Sequence, residues 1–307
     1  MALEDTQIQE RILPNINRLA DIASTKDYAY CHEVMRAASN NYSFASNFLP
    51  RSKRHHVDAL YAFLRIGDDR VDVSHEGFNS PLAAIDAWEG AYWRAFEHGD
   101  SPEPVMRAYL RTAIETGIPA DTMTPYFRAM KDDLVKTRFE TFDELLHYMD
   151  GSAIPVGRAM TYILGVKEPF TYSDAFMGAD ALSIAMQLSN FWRDIGQDWG
   201  IGRVYLPKED MDIFEVSESD LAAGWISAEF IELLEFEMSR TEEYYDLAEK
   251  GVPMLASGGW GVMSALSIYR SILSTIRENK YDVFSRRART NLFEKFLLIL
   301  KSWYQIR

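Results

Sequence analysis

Residues 57–72 read VDALYAFLRIGDDRVD, and their spacing predicts an α-helix that carries two aspartates on its buried face. The apolar stripe of this helix is formed by Val57, Leu60, Tyr61 and Leu64. Continued further, the same register reaches Asp68 and Asp72, which lie four residues apart and therefore stack one turn above each other. Carboxylates on an inward face are costly to desolvate unless positive charge compensates them. The stretch therefore predicts a metal site.

A second stretch, QLSNFWRDIGQD at residues 187–198, repeats this spacing with Asp194 and Asp198. On a helical wheel the two aspartates share an arc of roughly 80° with Gln187 and Asn190. Two such pairs facing each other would hold divalent cations, and the cations would hold a diphosphate. The competing interpretation is a solvated helix face, because 46 of the 307 residues are Asp or Glu and the spacing recurs by chance.

The rest of the chain also reads as helix, since sustained alternating runs typical of strands are nearly absent. We predict helices at about 27–46, 51–73, 80–98, 102–117, 121–137, 141–165, 172–199, 218–224, 227–249, 253–280 and 286–304. Thr141 and Glu144 have the spacing of a capping box. Two glycines and Pro207 predict a loop at 200–208. The fold class is therefore all-α.

Composition limits the function classes. No linker or repeat divides residues 1–307, so we expect a single domain. A single cysteine, Cys31, and the polar N-terminus lead us to expect a cytoplasmic protein. The net charge of −14 disfavours nucleic acid as a partner. No apolar run reaches membrane-spanning length, so we expect at most a transient association with a membrane surface for product release.

Four stretches, in this order and at this spacing, resemble the squalene/phytoene synthase family of head-to-head prenyl transferases. They are NNYSFASNFLPRSKRHHVDALYAFLRIGDDRVD (40–72), ETFDELLHYMDGSAIPVGRAM (140–160), MQLSNFWRDIGQDWGIGRVYLPKEDM (186–211) and IYRSILSTIRENKYDVFSRRA (268–288). The resemblance covers nearly the whole chain. It implies the isoprenoid-synthase fold, with about ten or more helices around a central cavity.

The resemblance also implies roles for single residues. Asp68, Asp72, Asp194 and Asp198 would bind Mg²⁺, with Mn²⁺ as an alternative, and the metal would bridge to prenyl diphosphate substrates. The diphosphate would be bound by Ser43, Arg65, Asn190, Arg193, Arg203 and Arg286. Tyr148, Gln187 and Tyr269 would be the catalytic group that shields or positions carbocations. A core hydrogen bond is the competing interpretation for Gln187 and Asn190.

The reaction implied is a condensation through a cyclopropylcarbinyl diphosphate, followed by a second ionisation. YDVFSRRA (281–288) resembles bacterial phytoene synthases, for which the substrate is geranylgeranyl diphosphate and NADPH is not expected. GSAIPVGRAM (151–160) and SNFWRDI (189–195) resemble the branch that uses farnesyl diphosphate. That branch makes squalene, hydroxysqualene or dehydrosqualene. Gln197 and Asp150 depart from the phytoene synthase pattern.

A function of another class is a non-catalytic isoprenoid-binding subunit that has kept the fold. The intact set of four aspartates, together with Arg65, Asn190 and Arg286, argues against this alternative, since binding alone would not require it. We therefore predict a Mg²⁺-dependent phytoene synthase and keep the farnesyl diphosphate reactions as the alternative.

Overall fold

The computed structural model describes residues 22–38, 47–72 and 77–288, without the side chains of Val71 and Asp72. Across these ranges the secondary structure is helical and no strand forms. An isolated bridge pairs Val166 with Leu255. The prediction of an all-α fold is confirmed. Among the described helices, none combines the length and the apolar character needed to cross a membrane.

Twelve α-helices are described, numbered here in chain order. They are α1 (Thr25–Ala38), α2 (Arg51–Asp72), α3 (Pro81–His98), α4 (Pro104–Thr116), α5 (Thr124–Asp132), α6 (Phe142–Ser152), α7 (Ile154–Leu164), α8 (Tyr172–Gly200), α9 (Lys208–Ile213), α10 (Glu218–Ala223), α11 (Ala228–Gly251) and α12 (Gly259–Glu278). Short 3₁₀ turns lie at Ala120–Met123 and Val252–Met254.

Several helices differ from the sequence-based expectation, and the one expected at 253–280 begins only at Gly259. The predicted helix at 141–165 is two helices, because Pro155 has no N–H to donate and the chain breaks at Ala153 (φ −125°, ψ −48°). The helix expected at 121–137 ends at Asp132, and the residues after Leu134 run towards the 203–209 segment. Helix α9 was not predicted; its first residue, Lys208, is the last residue of the loop expected at 200–208.

Half of the predicted capping box forms at the start of α6. The Thr141 hydroxyl accepts a hydrogen bond from the Glu144 amide at 3.1 Å, as an N-cap should. The Glu144 carboxylate accepts from the Glu140 amide at 2.9 Å instead of from Thr141. A complete box forms at α8 instead, between Thr171 and Asp174.

The described chain separates into two compact units. The first contains the described residues up to Leu134 together with Tyr162–Gly165. Its centre is Phe63 of α2, fully buried, with its ring centroid 4.3 Å from that of Tyr109 and 5.5 Å from that of Trp88. This aromatic core fixes α2, the helix of the first aspartate pair. The single domain expected over residues 1–307 stays a prediction.

The second unit contains Val135–Thr161 and the described residues from Val166 onward. Helix α8, which carries the second aspartate pair, is its centre. The Trp192 indole donates to the Thr241 hydroxyl of α11 at 2.8 Å. The hydroxyls of Ser189 and Tyr245 lie 2.8 Å apart. These buried hydrogen bonds fix the rotation of α8 about its own axis, and so decide which face its aspartates occupy.

Backbone hydrogen bonds fasten the segment that follows α8. The Val204 amide donates to the Thr137 carbonyl at 2.9 Å, and the Lys208 amide donates to the Phe139 carbonyl at 2.9 Å. The loop predicted at 200–208 therefore lies alongside residues 137–140, held by a short backbone ladder.

Glycines allow α8 and α11 to pack closely. A Cβ atom at Gly178 would lie 2.6 Å from Gly251 Cα, closer than real Cβ atoms approach.

We expect Gly178→Ala to push the helices apart and lower the free energy of unfolding by about 2 kcal/mol. Urea denaturation measures this. The control is Gly200→Ala on the same helix, where no heavy atom lies within 4 Å of the new methyl. Equal losses in both variants would contradict the close packing.

Candidate active site

The first aspartate pair lies at the C-terminal end of α2, in the first unit. Asp68 is half-buried, and its Oδ1 accepts a hydrogen bond from the Tyr126 hydroxyl at 3.1 Å. Asp72 is the last residue of α2, and its side chain lies outside the described part of the chain. Arg65 pairs with Asp69, one turn along the helix, at 2.6 Å. The role of Arg65 at a diphosphate therefore stays a prediction.

Two guanidinium groups clamp Asp194, in the second unit. Arg193 donates from Nε to Oδ1 at 2.8 Å and from Nη2 to Oδ2 at 2.5 Å. Arg287 makes the same paired contact from the segment after α12, with both distances 2.9 Å. Burial alone would raise the pKa of this carboxyl, but hydrogen bonds from the two arginines outweigh burial and hold the pKa below its usual value. Asp194 is therefore ionised.

Asp198, one turn further along α8, has the opposite electrostatics. Desolvation first, and the negative charge of Asp194 second, raise its pKa to about 7. Arg203, Arg193 and Arg287 oppose this shift without cancelling it. A half-buried carboxyl in this state is only partly compensated, and a divalent cation would supply the remaining positive charge. The paired carboxylate oxygens are hard donors, so the residues present fit Mg²⁺.

Gly196 explains how Arg287 reaches Asp194. A Cβ atom at position 196 would lie 2.8 Å from Phe284 Cα and 3.0 Å from the Val283 carbonyl oxygen. Only glycine leaves room for the 281–288 segment to lie directly on α8 between the two aspartates. The close approach places the guanidinium of Arg287 on the Asp194 carboxylate.

A small, partly open cleft lies beside Asp198. Its lining residues are Phe191, Ile195, Asp198, Arg203, Val204, Tyr205, Leu206 and Leu221. Apolar walls thus meet one carboxylate and one guanidinium. Such a pocket suits a ligand with a charged group at one end and a hydrocarbon at the other.

Tyr148 belongs to a group of aromatic residues in the second unit, two of which, Phe191 and Tyr205, line the cleft beside Asp198. The rings of Phe191 and Tyr205 stack at 3.8 Å with 9° between their planes. The Tyr148 ring lies 6.0 Å from Tyr205 and 6.4 Å from Phe191, and Phe139 lies 5.3 Å from Tyr148. Electron-rich faces of this kind stabilise nearby cations. The structure thus surrounds the predicted catalytic tyrosine with further rings.

The other predicted residues of the second unit lie on the same elements. Gln187 and Asn190 are half-buried on α8. Tyr269 is half-buried on α12. The pKa of the Arg287 guanidinium is raised, mainly by its hydrogen bond to Asp194, with a smaller contribution from the Tyr269 hydroxyl. The hydroxyl of Tyr269 therefore lies within electrostatic reach of the clamp on Asp194.

Two predicted diphosphate ligands are not placed in this group. Arg286 is exposed, and it is the next residue, Arg287, that binds Asp194. Ser43 lies outside the described residues. The sequence signal for this region was SRRA, and it could not choose between adjacent arginines, because the segment is not helical and has no register to count. Sequence reasoning also missed Tyr126, which lies far from the first motif along the chain.

A histidine group in the first unit could also be considered for a metal. Ligand atoms of His55, His56 and Glu115 lie within 4.8 Å of one another. Each has another partner. His56 Nδ1 lies 3.1 Å from the Thr112 hydroxyl, Glu115 pairs with Arg111 at 2.8 Å, and the His55 ring packs against Tyr28 with centroids 4.9 Å apart. Burial lowers the pKa of His56 to about 3, with positive neighbours adding to the effect. The local positive charge disfavours a cation, and we assign no metal to this group.

Comparison with known proteins identifies the relatives of this chain. The family model described as "Squalene/phytoene synthase" matches residues 35–294. The 15-cis-phytoene synthase of Synechococcus elongatus is 30% identical over 270 residues, which is 85% of this chain and 87% of the relative. The 15-cis-phytoene synthase of a Synechocystis strain is 32% identical over 289 residues, covering 90% of this chain and 84% of the relative.

Solved structures give the same result. A dehydrosqualene synthase in complex with ligand is 27% identical, with a TM-score of 0.82, and the match covers 92% of this chain and 96% of that protein. The squalene synthase HpnC from Alicyclobacillus acidocaldarius is 26% identical, with a TM-score of 0.76, covering 86% and 99% respectively. The all-α architecture described above is thus shared with both proteins.

The contrast between the two aspartates of α8 gives a test. Asp194→Asn should lower the free energy of unfolding at pH 8 by about 2 kcal/mol, because two guanidinium groups lose their carboxylate. Asp198→Asn should raise it by roughly 2 kcal/mol, because it removes a desolvated charge. The folded-state pKa of Asp198 lies above the unfolded value of 3.8, so the fold loses stability as pH rises from about 3.8 to about 7 and has lost the full contribution at pH 8.

The benefit of Asp198→Asn should therefore be smaller at pH 5, where the folded parent is protonated at Asp198, and should vanish only below about 3.8, where the side chain is protonated in both states. Urea denaturation of metal-free protein at pH 8 and pH 5 measures these changes. Shifts of the same sign for the two variants at pH 8 would contradict the assigned electrostatics.

Proposed function

This chain belongs to the squalene/phytoene synthase family, and we propose from that premise that it condenses two geranylgeranyl diphosphates head to head into phytoene. It is a prenyl transferase with the isoprenoid-synthase fold. The curated relatives at 30–32% identity are phytoene synthases, which supports this product. The observation that carries the proposal is the α8 site, where two aspartates and three arginines meet beside an apolar-walled cleft.

Mg²⁺ is the cofactor that we propose for this site, with Mn²⁺ as a substitute. Asp194 and Asp198 would hold it, and Asp68 and Asp72 would hold metal in the first unit. The chemistry that Mg²⁺ supplies when bound is neutralisation of the charge on the leaving diphosphate. A cation held by Asp194 would compete with the two guanidinium groups for the carboxylate. Arg193 and Arg287 would then have N–H groups available for diphosphate oxygens, which planar guanidinium groups bind in pairs.

We propose that the arginines bind the diphosphate from different positions. Arg203 lines the cleft beside Asp198 and would bind the diphosphate there. Arg287 joins the set predicted from sequence, and Arg286 and Arg65 are retained in it as proposals. Asn190 would orient the diphosphate from α8. Ser43 remains proposed as a further diphosphate ligand.

The aromatic group supports the carbocation chemistry. In the first half-reaction one diphosphate leaves as C1 of its prenyl chain becomes cationic, the 2,3-alkene of the second substrate attacks that carbon, and proton loss closes the cyclopropane. In the second half-reaction the remaining diphosphate leaves, the cation rearranges, and proton loss gives phytoene. Tyr148 would shield the cations together with Phe191 and Tyr205. Gln187 and Tyr269 would position the carbocations, and exclusion of water would protect the carbocations from hydrolysis.

A second candidate is a reaction of farnesyl diphosphate to a C30 product. The structural likeness to a dehydrosqualene synthase and to the squalene synthase HpnC favours it. Incubation of the purified protein with geranylgeranyl or farnesyl diphosphate and Mg²⁺, with and without NADPH, separates the two by mass spectrometry. We expect a C40 hydrocarbon and no effect of NADPH. Exclusive use of farnesyl diphosphate, with a C30 product, would overturn the phytoene assignment.

The remaining proposals concern partners and location. The net charge of −14 supports a protein that does not bind nucleic acid. We propose that it works in the cytoplasm and touches a membrane surface only transiently, when the hydrophobic product leaves.

Two adjacent arginines provide a matched pair of variants. We expect Arg287→Ala to lower kcat/KM by about 100-fold, since it removes a diphosphate ligand and one side of the Asp194 clamp. Arg286→Ala should cost less, about 10-fold, because the Asp194 carboxylate is held by Arg287 and not by Arg286. Steady-state kinetics with saturating Mg²⁺ measures both values, and thermal unfolding checks that both proteins are folded. A greater loss for Arg286→Ala would reverse the assignment.

A further inference from the structure

The hydroxyl group of Tyr126 lies between two acceptors on α2. It is 3.0 Å from the Leu64 carbonyl oxygen and 3.1 Å from Oδ1 of Asp68. Both partners can only accept, so the tyrosine hydroxyl is the donor and its single hydrogen is shared between them. The contact joins α5 to the first aspartate of the RIGDDRVD motif, 58 positions earlier in the chain.

Gly67 makes this contact sterically possible. A Cβ atom at position 67 would overlap the hydroxyl oxygen of Tyr126 and would lie 3.2 Å from its Cζ. It would also come within 3.2 Å of the indole nitrogen of Trp88. Gly67 does not have a positive φ, so glycine is needed here for space and not for backbone conformation.

The ring of Tyr126 is held firmly by its surroundings. The residue is 2% exposed, and its ring lies 5.4 Å from that of Phe127 and 6.0 Å from that of Phe63. These are distances at which aromatic rings pack. The hydroxyl is therefore presented to Asp68 from a rigid support, while Asp68 is a half-buried side chain near a helix end.

We propose that Tyr126, given room by Gly67, is a positioning residue that orients the Asp68 carboxylate for metal binding. The inference rests on the proposed function, in which Asp68 binds Mg²⁺. A donor on Oδ1 restricts rotation of the carboxylate that would bind the cation. Partners of this kind behind a metal ligand fix its orientation, and their loss weakens metal binding by about 10- to 100-fold.

The test measures metal affinity directly, on the full chain. Mn²⁺ is titrated in the presence of inorganic diphosphate, and the electron paramagnetic resonance signal of free Mn²⁺ gives the bound fraction. We expect Tyr126→Phe to weaken Mn²⁺ binding by about 10-fold. Asp68→Asn sets the loss expected when the ligand itself is removed. Unchanged binding in Asp68→Asn would show that Asp68 is not a ligand and would overturn the inference.

Tyr92→Phe is the matched control for the hydroxyl. Tyr92 is fully buried in the same aromatic core, and its hydroxyl donates to the Ala120 carbonyl at 2.6 Å, away from Asp68. Tyr92→Phe should lower the free energy of unfolding about as much as Tyr126→Phe does. Mn²⁺ binding should stay within about twofold of the parent, because the Ala120 carbonyl lies outside the proposed metal site. A similar loss of Mn²⁺ affinity in Tyr92→Phe would mean that core stability, and not positioning, governs the site.

Gly67→Ala tests the same contact from the other side. Its methyl group would displace the Tyr126 hydroxyl, so we expect a loss of Mn²⁺ affinity similar to that of Tyr126→Phe. The double variant should bind Mn²⁺ no worse than either single variant, since both changes act through one contact. Losses that add independently would overturn the inference.

Failure of this inference can be told apart from failure of the proposed function. A parent protein that forms the prenyl product while Tyr126→Phe binds Mn²⁺ like the parent would overturn the positioning role alone. A parent protein that forms no product, yet shows the loss specific to Tyr126→Phe, would overturn the proposed reaction alone.

Discussion

The need to compensate partly buried carboxylates organises much of what is described here. Three aspartates differ in how far their charge is compensated. Asp194 is clamped by two guanidinium groups, Asp68 accepts a hydrogen bond from a buried tyrosine, and Asp198 is left with its pKa raised to about 7. An ion with two positive charges would compensate Asp198 most directly, because the three nearby arginines do not cancel the effects of desolvation and of the Asp194 charge.

Close approaches at glycines bring the compensating groups to the carboxylates. Gly196 admits the 281–288 segment onto α8, and Gly67 admits the Tyr126 hydroxyl onto α2. In the second unit, the backbone hydrogen bonds between residues 137–140 and 204–209 hold the segment in which Arg203 and Tyr205 line the cleft beside Asp198. At both glycines a donor from a distant part of the chain reaches a helix that carries an aspartate. Small residues beside the motifs are thus as much a part of the site as the charged ones.

Family membership and product choice depend on different parts of the molecule. The family is recognised from charged motifs, which we propose bind the diphosphate that is common to C30 and C40 chemistry. The product follows from the length and shape of the apolar walls and from the last step that removes the cation. Relatives named for phytoene and solved structures named for dehydrosqualene and squalene therefore coexist around one fold.

The sequence alone determined the all-α class, the family, and the placement of the aspartates on α2 and α8, because helical spacing is local and both motifs are contiguous. It failed where a proline broke a helix at Ala153, since a continuous apolar pattern hid the break. Only the tertiary structure selected Arg287 over its neighbour for the contact with Asp194, and only it brought Tyr126 to Asp68. Such contacts depend on how distant segments pack, and no local pattern encodes that packing.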